Sequence, residues 1–287
     1  MKTVNLLLGG LNMPELPEVQ TVVDTLYPRV IDKEIIAVEV KRDELIANVD
    51  AKEFENKLIG AKIENVRRRG KYIIIELDNS YYLVGHLRMT GYFFYTQKDS
   101  KVSKYDCIFF KFMGEDELRL GSKRKFTRIY LVDDLKDAGS LTKLGPEPLS
   151  DEFTLERLKE MIAKRKGKMK PLLLNQRFLA GLGNIYVDEA LFLSKIHPLR
   201  TADTLQDDEI ERLYHAIVKV LSDGVEHRGT TKWDYVDASG ESGSHQNYLM
   251  IYDKEGEECS ECGTKIEKIK VGGRGTYFCP ACQKQEE

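Results

Sequence analysis

Two cysteine pairs near the end of the chain constrain its folding most. They are Cys259-x-x-Cys262 and Cys279-x-x-Cys282, with sixteen residues between the pairs. Each Cys-x-x-Cys puts two thiolates on one tight turn, and two such turns complete a tetrahedron around a metal ion. A module of about thirty residues cannot bury a core unaided, so metal binding must supply its folding free energy. Two disulfides are the alternative, and the lack of an export signal argues against them. The spacing predicts one Zn²⁺ ion. Four cysteine ligands leave no open position for a substrate, so its role is structural. Between the pairs, Val271-Gly272-Gly273-Arg274-Gly275-Thr276 reads as a glycine-rich hairpin tip presenting one arginine. The fifth cysteine, Cys107, lies in an apolar strand and reads as core.

The 287 residues suggest two larger domains ahead of this module. From about Ile35 to Val132 the pattern is mostly strands. Tyr72–Leu77 turns at Asp78-Asn79-Ser80 into Tyr81–Val84, Cys107–Phe112 pairs with Leu118–Leu120, and Ile129–Val132 closes the region. A helix is expected over 17–30, where Val19, Val22, Val23 and Leu26 recur at helical spacing. Gly145–Ser150 reads as a linker. Beyond it the period becomes helical over 152–163, 169–176, 184–194 and 207–223, and Ala238–Ser244 has the composition of a flexible loop. Domain limits of 13–145, 150–240 and 250–287 follow. The net charge of −3 hides four basic clusters, around Arg67–Lys71, Lys123–Arg128, Lys164–Lys170 and Lys265–Arg274. Each stands beside an independent motif, which favours a phosphate-binding surface set against an acidic remainder. No apolar run approaches a membrane span, and the opening Val4–Gly10 is too short and too weakly basic for an export signal. A cytoplasmic monomer is expected.

Two further runs carry chemistry. Gln176–Glu189 contains Gly181-Leu182-Gly183-Asn184, which joins two helices rather than a strand and a helix and lacks a third glycine, so it is no dinucleotide loop. Gly183 followed by Asn184 reads as a turn plus N-cap, leaving backbone N–H groups at a helix start for a phosphate. The other run, Met13-Pro14-Glu15-Leu16-Pro17-Glu18, resembles a protein start lying inside the chain. A free proline nitrogen is a secondary amine with a pKa of about 8, able to attack a carbon electrophile and become an iminium. Within a peptide bond the same nitrogen is a planar amide and is no nucleophile.

Pro14–Glu18, Lys71 within Arg69-Gly70-Lys71-Tyr72, the Gly181–Glu189 run and Lys268–Thr276 with its cysteines together resemble the formamidopyrimidine-DNA glycosylase family, over about residues 13–283. The resemblance implies an α+β multidomain fold: an N-terminal two-sheet β-sandwich, a helix–two-turn–helix domain and a C-terminal four-cysteine zinc finger. It implies damaged double-stranded DNA as partner, lying in the cleft between these parts, in a bacterial cell. Leu16 stands where relatives acting on oxidised pyrimidines have glycine, which favours 8-oxoguanine and formamidopyrimidines as lesions.

Carried over by residue, the resemblance makes Pro14 the nucleophile and Glu15 the group that moves protons at the sugar. Glu18 would set the local electrostatics or belong simply to the first helix. Lys71, Asn184 and Arg274 would hold the phosphates beside the lesion, with Lys71 and Arg274 also moving protons. Met89, Arg124 and Phe126 would fill the void left by the flipped nucleotide, although Met89 and Phe126 alone read as core residues. Lys170 would lie near the damaged base and Arg165 near the backbone. Two positions depart from the usual pattern: Lys104-Tyr105-Asp106-Cys107 replaces a histidine-rich segment, leaving Tyr105 as the DNA contact there, and Thr127 follows Phe126 where glycine is common, which would stiffen that loop. Ser239–Gln246 would cap the flipped base.

Everything then depends on the state of Pro14. Gly9-Gly10 can be encoded as a purine-rich ribosome-binding site at a workable distance from Met13, so residues 1–12 read as a translated leader and Met13 as the start. A non-catalytic lesion-binding paralogue with a blocked Pro14, or a glycosylase for oxidised pyrimidines, are the rival readings.

Overall fold

The structure is a computed structural model that describes residues 13–232 and 235–285. The expected leader, 1–12, lies outside the described residues. Chain order begins with helix α1 (Leu16–Val30), strand β1 (Ile35–Val40) and helix α2 (Ala51–Leu58). Strands β2 (Ile63–Arg69), β3 (Tyr72–Leu77), β4 (Tyr82–His86), β5 (Gly91–Gln97), β6 (Asp106–Phe112), β7 (Asp116–Ser122) and β8 (Arg128–Val132) follow. Helices α3 (Leu155–Ala163), α4 (Met169–Leu174), α5 (Asn184–Leu193) and α6 (Asp207–Glu226) come next, and strands β9 (Glu267–Val271) and β10 (Arg274–Phe278) last.

Two four-stranded antiparallel sheets, ordered β1-β6-β7-β5 and β2-β3-β4-β8, form the expected sandwich. The two expected hairpins are present as β3–β4 and β6–β7. Helix α2 was not expected within the strand region. Asp50 caps it by accepting from the Glu53 amide, and Phe54 and Leu58 sit four apart on its buried face. The cap and the i, i+4 pair were visible, but the surrounding strand pattern masked them.

Helix α1 joins the two cores. Val19, Val22, Val23, Leu26 and Val30 belong to the sandwich core, whereas Leu16, at the helix start, belongs to the core of the helical domain. Each buried side chain of this kind contributes about 1.5–3 kcal/mol. The helix is therefore anchored at both ends in different domains, and its first turn is held at their junction. The cysteine module shares the helical core through Cys259, Ile266 and Tyr277. No helix among the described residues is long and apolar enough to cross a membrane.

Candidate active site

Pro14 and Glu15 precede α1 and are buried at this junction. The Leu16 amide donates to the Gly181 carbonyl at 3.0 Å, tying the start of α1 to the turn before α5. The Glu15 carboxylate reaches the N-terminus of α5, accepting from the amides of Gly183 (2.6 Å), Ile185 (2.9 Å) and Tyr186 (3.4 Å). A carboxylate at a helix start meets both the unpaired amides and the positive end of the dipole. The expectation that these amides stand open for a phosphate is thus corrected: Glu15, 168 residues from Gly183, already fills the place. Gly183 itself is the N-cap, one position earlier than expected, and Asn184 is the first helical residue. Glycine is required here, because a Cβ on Gly183 would lie 2.3 Å from Glu15 Cδ. Gly181 has φ +87°, and a Cβ there would meet Leu16 at 2.7 Å.

Glu18 supports Glu15 from below. Its Oε2 accepts from the Glu15 amide at 2.8 Å, and its Oε1 accepts from the Tyr186 hydroxyl at 2.8 Å and the Thr230 amide at 2.7 Å. Burial, reinforced by the neighbouring Glu15 charge, pushes the Glu18 carboxyl up to about 7. Burial also raises Glu15, against the pull of the Lys71 ammonium and the three amides. A raised carboxyl pKa means that the folded state holds a proton the unfolded state has lost, so stability falls as pH rises through the window from 4.5 to about 7. At about 1.4 kcal/mol per pH unit, that window is worth about 3 kcal/mol. E18Q lacks this titration. Thermal melts from pH 4.5 to 7.5 should show the variant gaining on the wild type by several degrees, and parallel curves would refute the assignment.

Lys71, just before β3, is buried; desolvation depresses its pKa, the Arg274 charge adds to this, and Glu15 and Glu18 oppose it. Arg274 opens β10 across a two-residue Gly272-Gly273 turn with φ +56° and +80°, which pairs Arg274 with Val271. The carbonyl of Gly275 accepts from Asn184 Nδ2 at 3.0 Å and from Lys170 Nζ at 3.0 Å. These bonds hold the arginine hairpin against α5. Among the described residues, the Asn184 Oδ1 is buried without a partner.

Lys170, expected near the damaged base, is a buried residue of α4. Its ammonium is fully buried, 2.7 Å from Asp188 Oδ1, while Asp188 Oδ2 accepts from the Tyr277 amide at 3.1 Å. In this structure it is a strut between α4, α5 and β10. A residue that sequence reasoning passed over is His86, at the end of β4. Its ring packs edge-on against Tyr72 at 4.7 Å, and burial, with the Arg88 and Lys71 charges, lowers its pKa to about 3. It is a neutral imidazole beside Lys71. The His86-Leu87-Arg88-Met89 run held the signal.

Met89, Arg124 and Phe126 come together although 35 residues separate the first two. Arg124 Nη1 lies 3.5 Å from Met89 Sδ, and its guanidinium sits 4.8 Å above the Phe126 ring. Phe126 is 47% exposed, so it is not a core residue. Cys107 is buried, as expected. Tyr105 lines an aromatic cavity of about 340 Å³ with Tyr92, Phe94 and Tyr235, to which Gly240 and Ser242 of the expected capping segment also contribute. Arg165 lines a separate groove of about 590 Å³ with Arg177, Leu144 and the linker residues Gly145 and Pro146.

The four cysteines of the terminal module converge, with all their sulfurs within 4.8 Å of one another. The Cys259–Cys282 and Cys262–Cys279 sulfurs are 3.9 and 3.5 Å apart, too far for disulfides. They match the roughly 3.8 Å edge of a tetrahedron with metal–sulfur bonds of about 2.3 Å. The residues fit a tetrathiolate metal centre. Purified protein should carry one zinc equivalent by elemental analysis. A strong chelator should remove it and abolish hydrogen-exchange protection across 267–278, and an unchanged exchange pattern would rule out a structural metal.

Comparison with known proteins agrees with this arrangement. Residues 13–129 match the formamidopyrimidine-DNA glycosylase N-terminal domain, 144–234 its H2TH domain, and 256–285 the zinc finger found in FPG and IleRS. Formamidopyrimidine-DNA glycosylase of Pelotomaculum thermopropionicum is 44% identical over 274 residues, covering 95% of this chain and 99% of the relative. That of Protochlamydia amoebophila is 44% identical over 278 residues, covering 95% and 100%. Among solved structures, a Lactococcus lactis FPG mutant in complex with Fapy-dG-containing DNA superposes with a TM-score of 0.88 at 37% identity, covering 95% of this chain and 100% of that one. Lactococcus lactis Fpg with abasic-site DNA gives 0.87 at 38%, covering 94% and 100%.

Proposed function

The chain belongs to the formamidopyrimidine-DNA glycosylase family, and from that premise we propose that it is a bifunctional enzyme, both glycosylase and apurinic/apyrimidinic lyase. It excises 8-oxoguanine and formamidopyrimidines from duplex DNA and then cuts the strand. The observation that carries the reading is the junction itself. Pro14 is buried next to Glu15, whose carboxylate is fixed by three amides at the start of α5, those of Gly183, Ile185 and Tyr186, and feels the charge of Lys71, which in turn feels that of Arg274.

With its nitrogen free, Pro14 attacks C1′ of the flipped nucleotide. The N–C1′ bond forms, the glycosidic bond breaks, and the base leaves with a proton. Glu15 moves protons at the sugar as the ring opens and the iminium forms. The iminium acidifies the C2′ proton. Its removal expels the 3′ phosphate, a second elimination expels the 5′ phosphate, and water then hydrolyses the iminium, releasing the unsaturated sugar from Pro14. A one-nucleotide gap flanked by phosphates remains. Lys71, whose pKa burial lowers, is suited to exchanging protons in these eliminations. Arg274, Asn184 and Lys71 hold the phosphates around the lesion, and Met89, Arg124 and Phe126 occupy the vacated stack. Tyr105 and Arg165 extend the contact along the duplex. The four cysteines hold Zn²⁺, whose chemistry is to fold the hairpin that presents Arg274, with no part in the reaction.

The test uses protein beginning at Pro14 with end-labelled duplexes. An 8-oxoguanine:cytosine duplex should yield fragments with phosphate at both sides of the gap. Base release with an intact strand would sink the lyase half. Cleavage confined to oxidised-pyrimidine duplexes would move the enzyme to another lesion class.

A further inference from the structure

The connection after β4 carries Met89, and the connection after β7 carries Arg124 and Phe126. What holds the two together lies beneath them. The Thr127 side chain is fully buried; its hydroxyl donates to the Leu87 carbonyl at 3.1 Å and shares a hydrogen bond with Ser122 Oγ at 2.8 Å. The bridge is reciprocated, since Thr90 Oγ1 accepts from the Arg124 amide at 3.0 Å. Gly91 lets the connections approach, for a Cβ there would lie 2.3 Å from Thr127 Oγ1 and 2.4 Å from the Leu87 carbonyl oxygen. Between Arg124 and Phe126, Lys125 takes φ +58°, a left-handed turn that a non-glycine residue adopts only when its surroundings hold it. The Arg124 guanidinium touches both Met89 and Phe126.

We propose that Thr127 is a positioning residue, whose hydroxyl presets Met89, Arg124 and Phe126 as one rigid insert before DNA is bound. The inference rests on the reading that this trio fills the vacated stack. A preset insert does not have to be ordered during binding, so its effect falls on substrate affinity and on discrimination of the base opposite the lesion. The chemistry at Pro14 and Glu15 is left alone.

The experiment compares wild type, T127V and T127S, each beginning at Pro14, on duplexes carrying 8-oxoguanine opposite cytosine or adenine. Valine keeps the shape and removes the hydroxyl; serine keeps the hydroxyl. T127V should raise KM for the cytosine duplex about 5- to 10-fold, the effect of one neutral hydrogen bond, with kcat within about twofold. Preference for cytosine over adenine should fall by a similar factor, and T127S should restore both. Wild-type KM and preference in T127V would overturn the inference. So would equal losses in T127V and T127S, or a loss confined to kcat, which mark a purely structural residue. F126A serves as control. If it shifts KM and T127V does not, only the inference about Thr127 fails; if F126A changes nothing, the insert reading fails and takes the inference with it.

Discussion

Protein that begins at Pro14 will form a borohydride-stable adduct with an 8-oxoguanine:cytosine duplex, and the 287-residue chain with Met1–Met13 still attached will not. The difference lies in one nitrogen. In the longer chain the Pro14 nitrogen is an amide with a delocalised lone pair; in the shorter one it is a secondary amine with a pKa of about 8, a useful fraction of which is unprotonated at neutral pH. Glu15, Lys71 and Arg274 are the same in both, so the comparison isolates the nucleophile. Removing the nucleophile of a covalent mechanism lowers kcat by about 10⁴-fold or more, which puts the longer chain at background. Intact mass establishes each N-terminus, and a gel shift after reduction reads the adduct. Equal trapping by both proteins would eliminate Pro14 as nucleophile and point to a lysine. No trapping by either would favour a lesion-binding protein without lyase chemistry.

What the sequence made legible were features whose physics is local. The two Cys-x-x-Cys turns specify their geometry within four residues each, and the sulfurs converge as the spacing requires. The 3.6-residue period of α1 and the alternating strands of the sandwich follow from nearest neighbours in the same way. The helical-domain period likewise marks α3, α5 and α6 to within a few residues. What stayed hidden were contacts between segments far apart in the chain. That Glu15 would plug the amide cluster of α5 has no local signal, because the amides belong to residues 183–186. A glycine before a helix reads equally well as an open phosphate cradle or as room for another side chain, and only the folded chain distinguishes them. Lys170 makes the same point. In sequence it continues a basic run and looks solvent-facing, yet it is fully buried because Asp188, one turn into α5, neutralises it and the Gly275 carbonyl completes its hydrogen bonding. Thr127 read only as a stiffer loop residue. Its partners, Leu87 and Ser122, showed that it connects two loops.

The second large effect concerns Glu15. E15Q should lose base excision by about 10²- to 10⁴-fold, the range for removing a general acid–base group, while still being trapped by borohydride on a preformed abasic site within about tenfold of wild type. The abasic sugar already offers an aldehyde to Pro14, so its iminium forms without the proton transfers that open an intact nucleotide. Glutamine keeps the shape and one acceptor oxygen, but its NH₂ cannot accept from the α5 amides. Glu15 accepts through both oxygens, from Gly183 and Tyr186 on one and Ile185 on the other, so at least one amide loses its partner. An unsatisfied buried donor costs about 1–3 kcal/mol. Relief of the buried charge offsets part of this at neutral pH, because desolvation raises the Glu15 pKa and the ionised form is the disfavoured one. The variant should therefore fold, with a melting temperature shifted by only a few degrees. Three measurements on one preparation make the case: melting, abasic-site trapping and excision of 8-oxoguanine. If trapping collapses together with excision while the fold is intact, Glu15 is needed for the nucleophile itself. If excision survives, the proton-transfer role passes to Lys71, whose pKa is already lowered by burial.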